Sequence, residues 1–386
     1  MECLCTLCWS VNCVILELLV AMICLILVLL GEMLSAWPSS AYKLSLEATI
    51  WRAEAATHRR EMLSLLYPPP SHHGEDLKSR RHAVDSHPIF NFIHTYYRYS
   101  INKVLAYSPG LGTQIQLEGV KASDLYYKPS DSRVTQESTS GFLSPYGLIF
   151  EEDSGVAYYD GTTFVKEKEA QKLQEFLSIL TETSMRPPVF NCYGLHEWAM
   201  LYSGRRNSQS PELGSKHQKT PLRVTQEIID DLVEGKQAGC TLMCTHFDAY
   251  RFFHPSSQEL NVINDLSRKT QAKYEQGGCI HATMDLFKFA YTLYPFCSST
   301  LLRKTLRLAL AARKIDMRSS PYDVSKYLPE EEREPIRVEI AEGRKQFVVE
   351  QESLFHRSMP IRAELIVAYN EHLESIGYER DKNSFV

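Results

Sequence analysis

Titratable side chains stand within strongly apolar sequence near residue 280. In the stretch GCIHATMDLFK (278–288), His281 and Asp285 are four residues apart, and in a helix this spacing places both side chains on one face, one turn apart. Most of their neighbours are typical core residues, and an unpaired charge in a protein core is strongly destabilising. We therefore expect the two groups to share a partner, which is a metal ion, a substrate or each other.

Three further stretches combine titratable groups with apolar surroundings. Their residues are His196 and Glu197 in NCYGLHEWAMLY, His246 and Asp248 in CTHFDAYRFFHP, and Asp316 and Asp323 in KIDMRSSPYDV. A single buried His or Asp is often a satisfied member of a structural hydrogen-bond network, and that role stays open for each of them. Together, the four stretches predict one polar site.

These residues include the ligands of a metal site. His246 and Asp248, together with His281 or His196, supply two imidazoles and a carboxylate, the set that non-haem iron and many zinc enzymes use. Because residues two apart share a face only in extended backbone, this set requires a strand at His246, and the preceding CTLMCT is strand-like. The pattern predicts a metal-dependent hydrolase or oxygenase with Fe or Zn as cofactor and with His246, His281 and Asp248 as ligands.

Five ordered motifs connect these stretches with a known family. They are HPIFNF (87–92), GLHEWAM (194–200), THFDAYRFF (245–253), GCIHATMDLFK (278–288) and DMRSSPYD (316–323). In these motifs the chain resembles, over roughly residues 50–370, a family of predicted bacterial proteins commonly labelled 3-methyladenine DNA glycosylase. The label implies an enzyme that needs no cofactor, flips an alkylated purine out of DNA and hydrolyses its N-glycosidic bond.

Such a glycosylase needs an aromatic pocket for the flipped base, a carboxylate near the sugar, and basic contacts to phosphates. On this interpretation the candidate catalytic residues are Asp248, Asp285, Glu197 and His196. The candidate substrate-binding residues are Trp198, Phe247, Tyr250, Arg251 and Asp316. The resemblance thus implies that the partner is DNA with alkylated purines.

The overall charge of the chain does not favour nucleic acid as a partner. Lys and Arg number 42 against 47 Asp and Glu, which gives a net charge of -5, whereas nucleic-acid-binding domains are usually basic. The chain also lacks the helix-hairpin-helix signature of the repair superfamily, since its nearest string, SPGLGTQIQLEGV (108–120), runs into a strand-like pattern. DNA binding therefore requires a local basic groove.

The cysteines do not form a disulfide framework. Five of the ten lie in the first 24 residues, and the others are scattered singly at Cys192, Cys240, Cys244, Cys279 and Cys297. Cys240 and Cys244 are too loosely spaced for a CxxC redox pair or a zinc ribbon, and no second pair completes a tetrahedral site. The body of the chain is therefore typical of a protein from a reducing compartment.

Residues 1–36 are predicted to be a hydrophobic leader or a membrane anchor. The segment 14–30 is apolar except for Glu17, which is long for a signal-peptide core and slightly short for a spanning helix of about 20 residues. The Ala36–Trp37 junction resembles that of bipartite plastid-targeting leaders in algae with secondary plastids. We expect a plastid protein whose membrane contact is confined to residues 14–30. The alternatives are an anchor retained in the secretory pathway and a wrongly assigned start.

Hydrophobic periodicity predicts an α+β fold, a helix-dominated single domain. Residues 37–86 are expected to hold an amphipathic helix (46–66) and a polar linker, residues 87–375 a globular domain of the catalytic type, and residues 376–386 a tail. Between 111 and 165 the period changes to that of short strands, which predicts a small inserted antiparallel sheet. Further helices are predicted within 87–100 and 166–185, after Thr225, and near 277–294, 299–315 and 343–375.

Overall fold

The computed structural model describes residues 44–378, with gaps at 71–75, 119–142, 152, 165–166, 205–219 and 238. The predicted leader or anchor at 1–36 and most of the predicted tail at 376–386 therefore lie outside the described residues. Within the described ranges, no helix combines the length and the apolar character that crossing a bilayer requires.

Helices dominate the described chain, as predicted. They are α1 (Ala48–Leu66), α2 (Leu77–Ser86), α3 (Pro88–Tyr97), α4 (Ile101–Leu105), α5 (Glu167–Met185), α6 (His196–Met200), α7 (Gln226–Val233), α8 (Phe247–Tyr250), α9 (Pro255–Gln258), α10 (Gln271–Tyr274), α11 (Ile280–Leu293), α12 (Ser299–Ser319) and α13 (Ala341–Ser375). The fold is α+β, because a small four-stranded sheet accompanies these helices.

Three long helices build the centre of the main core. Helix α11 packs against α12 and α13, α12 packs against α13, and α5 covers α13. Helix α11 is buried almost all round, as expected for its apolar sequence. Local signals begin several helices where they were predicted: Pro88 occupies the first turn of α3, and the Thr225 side chain accepts a hydrogen bond from Ile228 N at the start of α7.

The sheet is mixed and not purely antiparallel. Strands β2 (Thr113–Gln116), β3 (Leu148–Glu151) and β4 (Val156–Tyr159) pair antiparallel in the order β2-β4-β3. The strand β1 (Leu44–Leu46) lies before α1 and adds to β2 in parallel. The prediction of an antiparallel insertion missed β1 because three residues are too short for a periodic pattern.

The polar linker predicted up to residue 86 contains the helix α2. The Asp76 side chain caps this helix by accepting a hydrogen bond from Ser79 N at 2.8 Å. Val84 is its one buried residue. Because a helix with so little apolar surface has no hydrophobic stripe, periodicity could not reveal it.

The strand predicted before His246 is also absent, since residues 240–246 have no regular structure. The side chain of Asn261 takes the place of a neighbouring strand: its Oδ1 accepts from Cys244 N at 2.8 Å, and its Nδ2 donates to Cys244 O at 3.1 Å. The segment is thus extended at His246 without belonging to a sheet.

Candidate functional site

Helix α11 brings His281 and Asp285 into the core, one turn apart, and each joins a different cluster of three potential ligands. We call the cluster of His196, His281 and Asp316 the histidine-rich group, and the cluster of His246, Glu275 and Asp285 the acid-rich group. In each group the donor atoms all lie within 4.8 Å of one another, and every member is buried. The single face predicted for His281 and Asp285 thus serves two adjacent groups.

The histidine-rich group assembles from three helices. His196 starts α6, His281 lies in the first turn of α11, and Asp316 lies near the end of α12. His196 Nε2 is 2.9 Å from Asp316 Oδ1, and the rings of His196 and His281 meet edge to face with centroids 4.3 Å apart. Arg313 donates to Glu197 Oε1 at 2.7 Å and to Asp316 Oδ2. One guanidinium therefore holds two carboxylates beside the imidazoles.

The acid-rich group centres on His246. Its Nε2 lies 3.3 Å from Glu275 Oε2 and 3.3 Å from Asp285 Oδ2. Both carboxylates have further donors: Gln271 Nε2 donates to Glu275 at 2.7 Å, and Tyr96 donates to Asp285 Oδ1 at 2.9 Å. The group is therefore enclosed by polar partners.

The two groups form one continuous network. The rings of His246 and His281 stack with centroids 5.3 Å apart and an interplanar angle of 28°. Lys288, one turn beyond Asp285, donates to Asp285 Oδ2 at 2.9 Å and to Asp248 Oδ2 at 3.0 Å. The pair of Asp285 and Lys288 joins residues three apart on α11, a spacing that favours ion pairs.

Several buried nitrogen and oxygen atoms that could bind a metal in these groups lack a well-aligned hydrogen bond. Within the described part of the chain, these atoms are Nε2 of His196, both ring nitrogens of His246, Oδ1 of Asp316 and Oε1 of Glu275. Nε2 of His196 and Oδ1 of Asp316 lie 2.9 Å apart as an ion pair. Since buried polar atoms are nearly always paired, groups of such atoms within 4.8 Å of one another are candidate ligand sites.

The charges around each group set the protonation of its histidine. Burial lowers the pKa of His281 well below its usual value, and the neighbouring His196 and His246 lower it further. Burial also acts to lower the pKa of His246, but the carboxylates of Glu275 and Asp285 outweigh it and raise that pKa. His281 is thus a neutral imidazole, the form that binds metals, whereas His246 tends to keep its proton.

The carboxyl groups of Asp285 and Asp316 are ionised despite their burial. Burial alone would raise the pKa of Asp285, but Lys288 and His246 hold it well below its usual range. Likewise, His196 and Arg313 depress the pKa of Asp316 against the effect of burial. Both groups therefore contain anionic oxygens at neutral pH.

A small cavity of about 20 Å³ reaches the histidine-rich group, room for about one water molecule. His196 and His281 line it, together with the thiols of Cys192, Cys244 and Cys279. Burial raises the pKa of all three thiols, that of Cys244 to about 12. The thiols are therefore protonated, which leaves the imidazoles as the candidate metal ligands of this wall.

The structure divides the metal ligands that sequence reasoning combined. His246 and His281 belong to different groups, and Asp248 belongs to neither. The H-x-D pattern fails because α8 starts at Phe247, so that Asp248 turns away from His246. Asp248 instead pairs with Lys288, Arg251 and Arg268.

The residues proposed for base stacking lie in different environments. Trp198 is fully buried, and its Nε1 donates to Ser319 O at 2.9 Å, so it serves as a core residue. Phe247 and Tyr250 are partly buried and Arg251 is exposed. Glu275 was missed by sequence reasoning, although it stands only six residues before His281. Its position in EQGG, next to a polar loop, did not indicate burial.

Comparison with known proteins does not identify the chain: no family model, no curated protein and no solved structure matches it. The resemblance to the family labelled 3-methyladenine DNA glycosylase therefore remains a prediction based on the five motifs.

Proposed function

We propose that the protein is a metal-dependent hydrolase or oxygenase whose ion binds to His196, His281 and Asp316. Two imidazoles and one carboxylate are the ligand set of many non-haem iron and zinc enzymes. The observation that carries the proposal is the convergence of these three buried side chains, with donor atoms of His196 and Asp316 that have no aligned hydrogen bond.

The distances in the histidine-rich group suit one ion. Ligand atoms of a tetrahedral ion with bonds of about 2.1 Å lie about 3.4 Å apart. The three donors are all within 4.8 Å of one another, so small side-chain adjustments bring them onto a common ion. Without an ion, each unpaired buried polar atom costs about 1–3 kcal/mol, a cost that coordination removes.

The cavity supplies the open position that a catalytic metal needs. Structural zinc sites are closed by four protein ligands, whereas catalytic sites keep one position for water or substrate. Both imidazoles of the histidine-rich group line the cavity, but no member of the acid-rich group does so. A metal ion held by these residues would supply a bound water as the nucleophile of a hydrolase, or would bind a diatomic co-substrate of similar size in an oxygenase.

The acid-rich group fits the role of a proton store beside the metal. His246 lies between two carboxylates and stacks on His281. A protonated imidazole neutralises part of their charge and can pass its proton towards the neighbouring group. Its position therefore suits general acid–base work by His246.

The second candidate function is the glycosylase implied by the family resemblance. It is favoured by two exposed guanidiniums, Arg251 and Arg268, that lie over the aromatic rings of Phe252 and Phe247. Against it, Asp248 and Asp285 are both buried and both paired with Lys288. A base-excision enzyme needs one carboxylate that can reach the sugar.

Elemental analysis tests the first proposal. The full-length chain should contain about one equivalent of Fe or Zn after purification in metal-replete medium. His281→Ala should lose most of it, while His246→Ala, a matched loss of a buried imidazole, should keep it. Metal retained in His281→Ala but lost in His246→Ala would move the ion to the acid-rich group, and metal-free protein in all cases would refute the proposal.

Release of alkylated purines from methylated DNA tests the second candidate. The assay is run with a chelator present, because a glycosylase of this type needs no metal. Release that persists under chelation and stops in Asp248→Asn or Asp285→Asn would support the glycosylase. Absence of release from the folded protein would exclude it.

A further inference from the structure

Asp248 marks the surface end of the buried network, and three cations surround it. Arg268 Nη2 donates to its Oδ1 at 3.0 Å, Arg251 Nε lies 3.1 Å from the same oxygen, and Lys288 Nζ donates to its Oδ2 at 3.0 Å. The Asp248 side chain is only 5% exposed, but those of Arg251 and Arg268 are 44% and 60% exposed. Buried charge is thus overlaid by exposed guanidiniums.

The cluster carries more positive than negative charge. Lys288 also pairs with Asp285, so that Asp248 alone faces the two guanidiniums. In the contacts of the described residues, neither Arg251 nor Arg268 has a second acidic partner. One positive charge is therefore left without a carboxylate at this surface, next to the network that contains the histidine-rich group.

The two guanidiniums are held in place before any ligand binds. Arg251 lies over the ring of Phe252 at 4.3 Å, and Arg268 lies over the ring of Phe247 at 5.5 Å. Because both arginines reach one oxygen of Asp248, the contacting nitrogens are at most about 6 Å apart, and each guanidinium keeps further N–H groups for a ligand. A tetrahedral or planar oxyanion can bridge such a pair with charge-assisted hydrogen bonds.

We propose that Arg251 and Arg268 form a binding subsite for a phosphate or carboxylate group. Asp248 positions the two side chains, and the aromatic rings of Phe247 and Phe252 limit their motion, which reduces the entropy lost on binding. That the anionic group belongs to the substrate of the metal centre rests on the proposed function. The subsite itself does not depend on a metal.

Titration with inorganic phosphate tests the subsite. Binding to the chelator-treated full-length chain is followed by calorimetry in a buffer free of other oxyanions, and acetate is titrated in a parallel arm. We expect saturable binding that weakens by about tenfold or more in Arg268→Gln and Arg251→Gln, because each loses a charge-assisted contact. Lys269→Gln is the matched control: it removes the same charge from an exposed neighbour and should leave the affinity unchanged.

The phosphate and acetate titrations distinguish a phosphate ester from a carboxylate as the ligand. They also test the subsite separately from the metal centre. Tighter binding of phosphate than of acetate assigns a phosphate ester, and the reverse order assigns a carboxylate. Arg268→Lys keeps the charge but loses the planar fork, so weakening there supports a shaped subsite. No saturable binding, equal loss in Lys269→Gln, or binding of a short DNA duplex without binding of either small anion would overturn the inference. Metal content is measured on the same preparations before the chelator is added, so that failure of the metal centre is seen separately.

Discussion

The two buried groups share a helix and differ in their charges. Both contain three potential metal ligands, and α11 contributes one residue to each: His281 to the histidine-rich group and Asp285 to the acid-rich group. The histidine-rich group has two imidazoles, one carboxylate and a cavity, whereas the acid-rich group has one imidazole between two carboxylates and a lysine beside them. The comparison shows that equally buried His and acidic side chains can favour the binding of a metal ion or of a proton. Which of the two they favour depends on the charges of the neighbouring side chains.

The protonation of the imidazoles expresses this difference. His281 faces two other imidazoles and is held neutral, but His246 faces two carboxylates and has a raised pKa. A neutral imidazole offers a lone pair to an ion, whereas a protonated one neutralises its carboxylates without an ion. Four experiments can break or sharpen this comparison.

The largest loss of stability is expected when the cation that pairs with the carboxylates of each group is removed. In Arg313→Met, Glu197 and Asp316 lose their shared buried cation, which should lower the free energy of unfolding by about 3–5 kcal/mol. In Lys288→Met the loss should be smaller, since the Lys288 side chain is 23% exposed and its charge is therefore partly solvated, whereas that of Arg313 is 1% exposed. Urea denaturation with chelator present measures both.

Lys304→Met is the control for this pair of variants. Lys304 forms an exposed ion pair with Glu364, which contributes at most about 1 kcal/mol. If Arg313→Met cost no more stability than this control, the two carboxylates beside Arg313 would have to be protonated in the folded protein. The conclusion that the histidine-rich group contains an ionised carboxylate would then be wrong.

Zinc should stabilise the folded protein through the histidine-rich group and not through the acid-rich group. At a zinc concentration about 100 times the dissociation constant, the free energy of unfolding should rise by about 2.7 kcal/mol. We expect this rise to persist in Glu275→Gln and to disappear in Asp316→Asn, two variants that each remove one buried carboxylate charge. Thermal unfolding with and without zinc provides the measurement, and the opposite pattern would assign the ion to the acid-rich group.

The start of α11 affects both groups together. A Cβ on Gly278 would lie 2.7 Å from Val189 O and 2.8 Å from Val189 N, so Gly278→Ala must displace backbone just before His281. We expect a loss of about 1–3 kcal/mol in stability and weaker zinc binding. Gly277→Ala is the matched control, since its Cβ meets the side chain of Phe355, which can move more easily. Equal effects of the two variants would contradict the backbone argument.

His58, a buried histidine outside both groups, gives the smallest effect and serves as a reference. Burial and the nearby guanidinium of Arg303 lower the pKa of His58 to about 3. Below the unfolded pKa of about 6.5, the unfolded chain binds a proton that the folded chain does not bind, so stability falls by about 1.4 kcal/mol per pH unit as the pH drops. His58→Gln should remove this slope in urea unfolding between neutral pH and about pH 5. An unchanged slope would refute it.

His246 should have the opposite sign in the same experiment. Its raised pKa means that its contribution to stability is present below the unfolded pKa of about 6.5 and is lost as the pH rises through the folded value. Because His58 is as buried as His246 but faces a cation, the pair separates the effect of charge from that of burial.

Local rules were sufficient for much of the helical framework. The helices at Ala48–Leu66, Pro88–Tyr97, Glu167–Met185 and Ser299–Ser319 follow from periodicity, capping and proline, all of which act within a few residues. The pairing of Asp285 with Lys288 follows from helical spacing in the same way. The amino-acid sequence by itself also identified the four stretches that supply every member of the two groups except Glu275.

The partners of those residues depend on tertiary packing. Spacing along the chain could not show that His281 joins Asp316 while Asp285 joins His246, or that Glu275 and Arg313 complete the two groups. These contacts join separate helices, and their distances depend on how α11 and α12 pack and where α8 begins. The chain determined which chemical groups would be buried, but the packing of distant segments determined which lone pairs converge, because electrostatic pairing acts through space and not along the sequence.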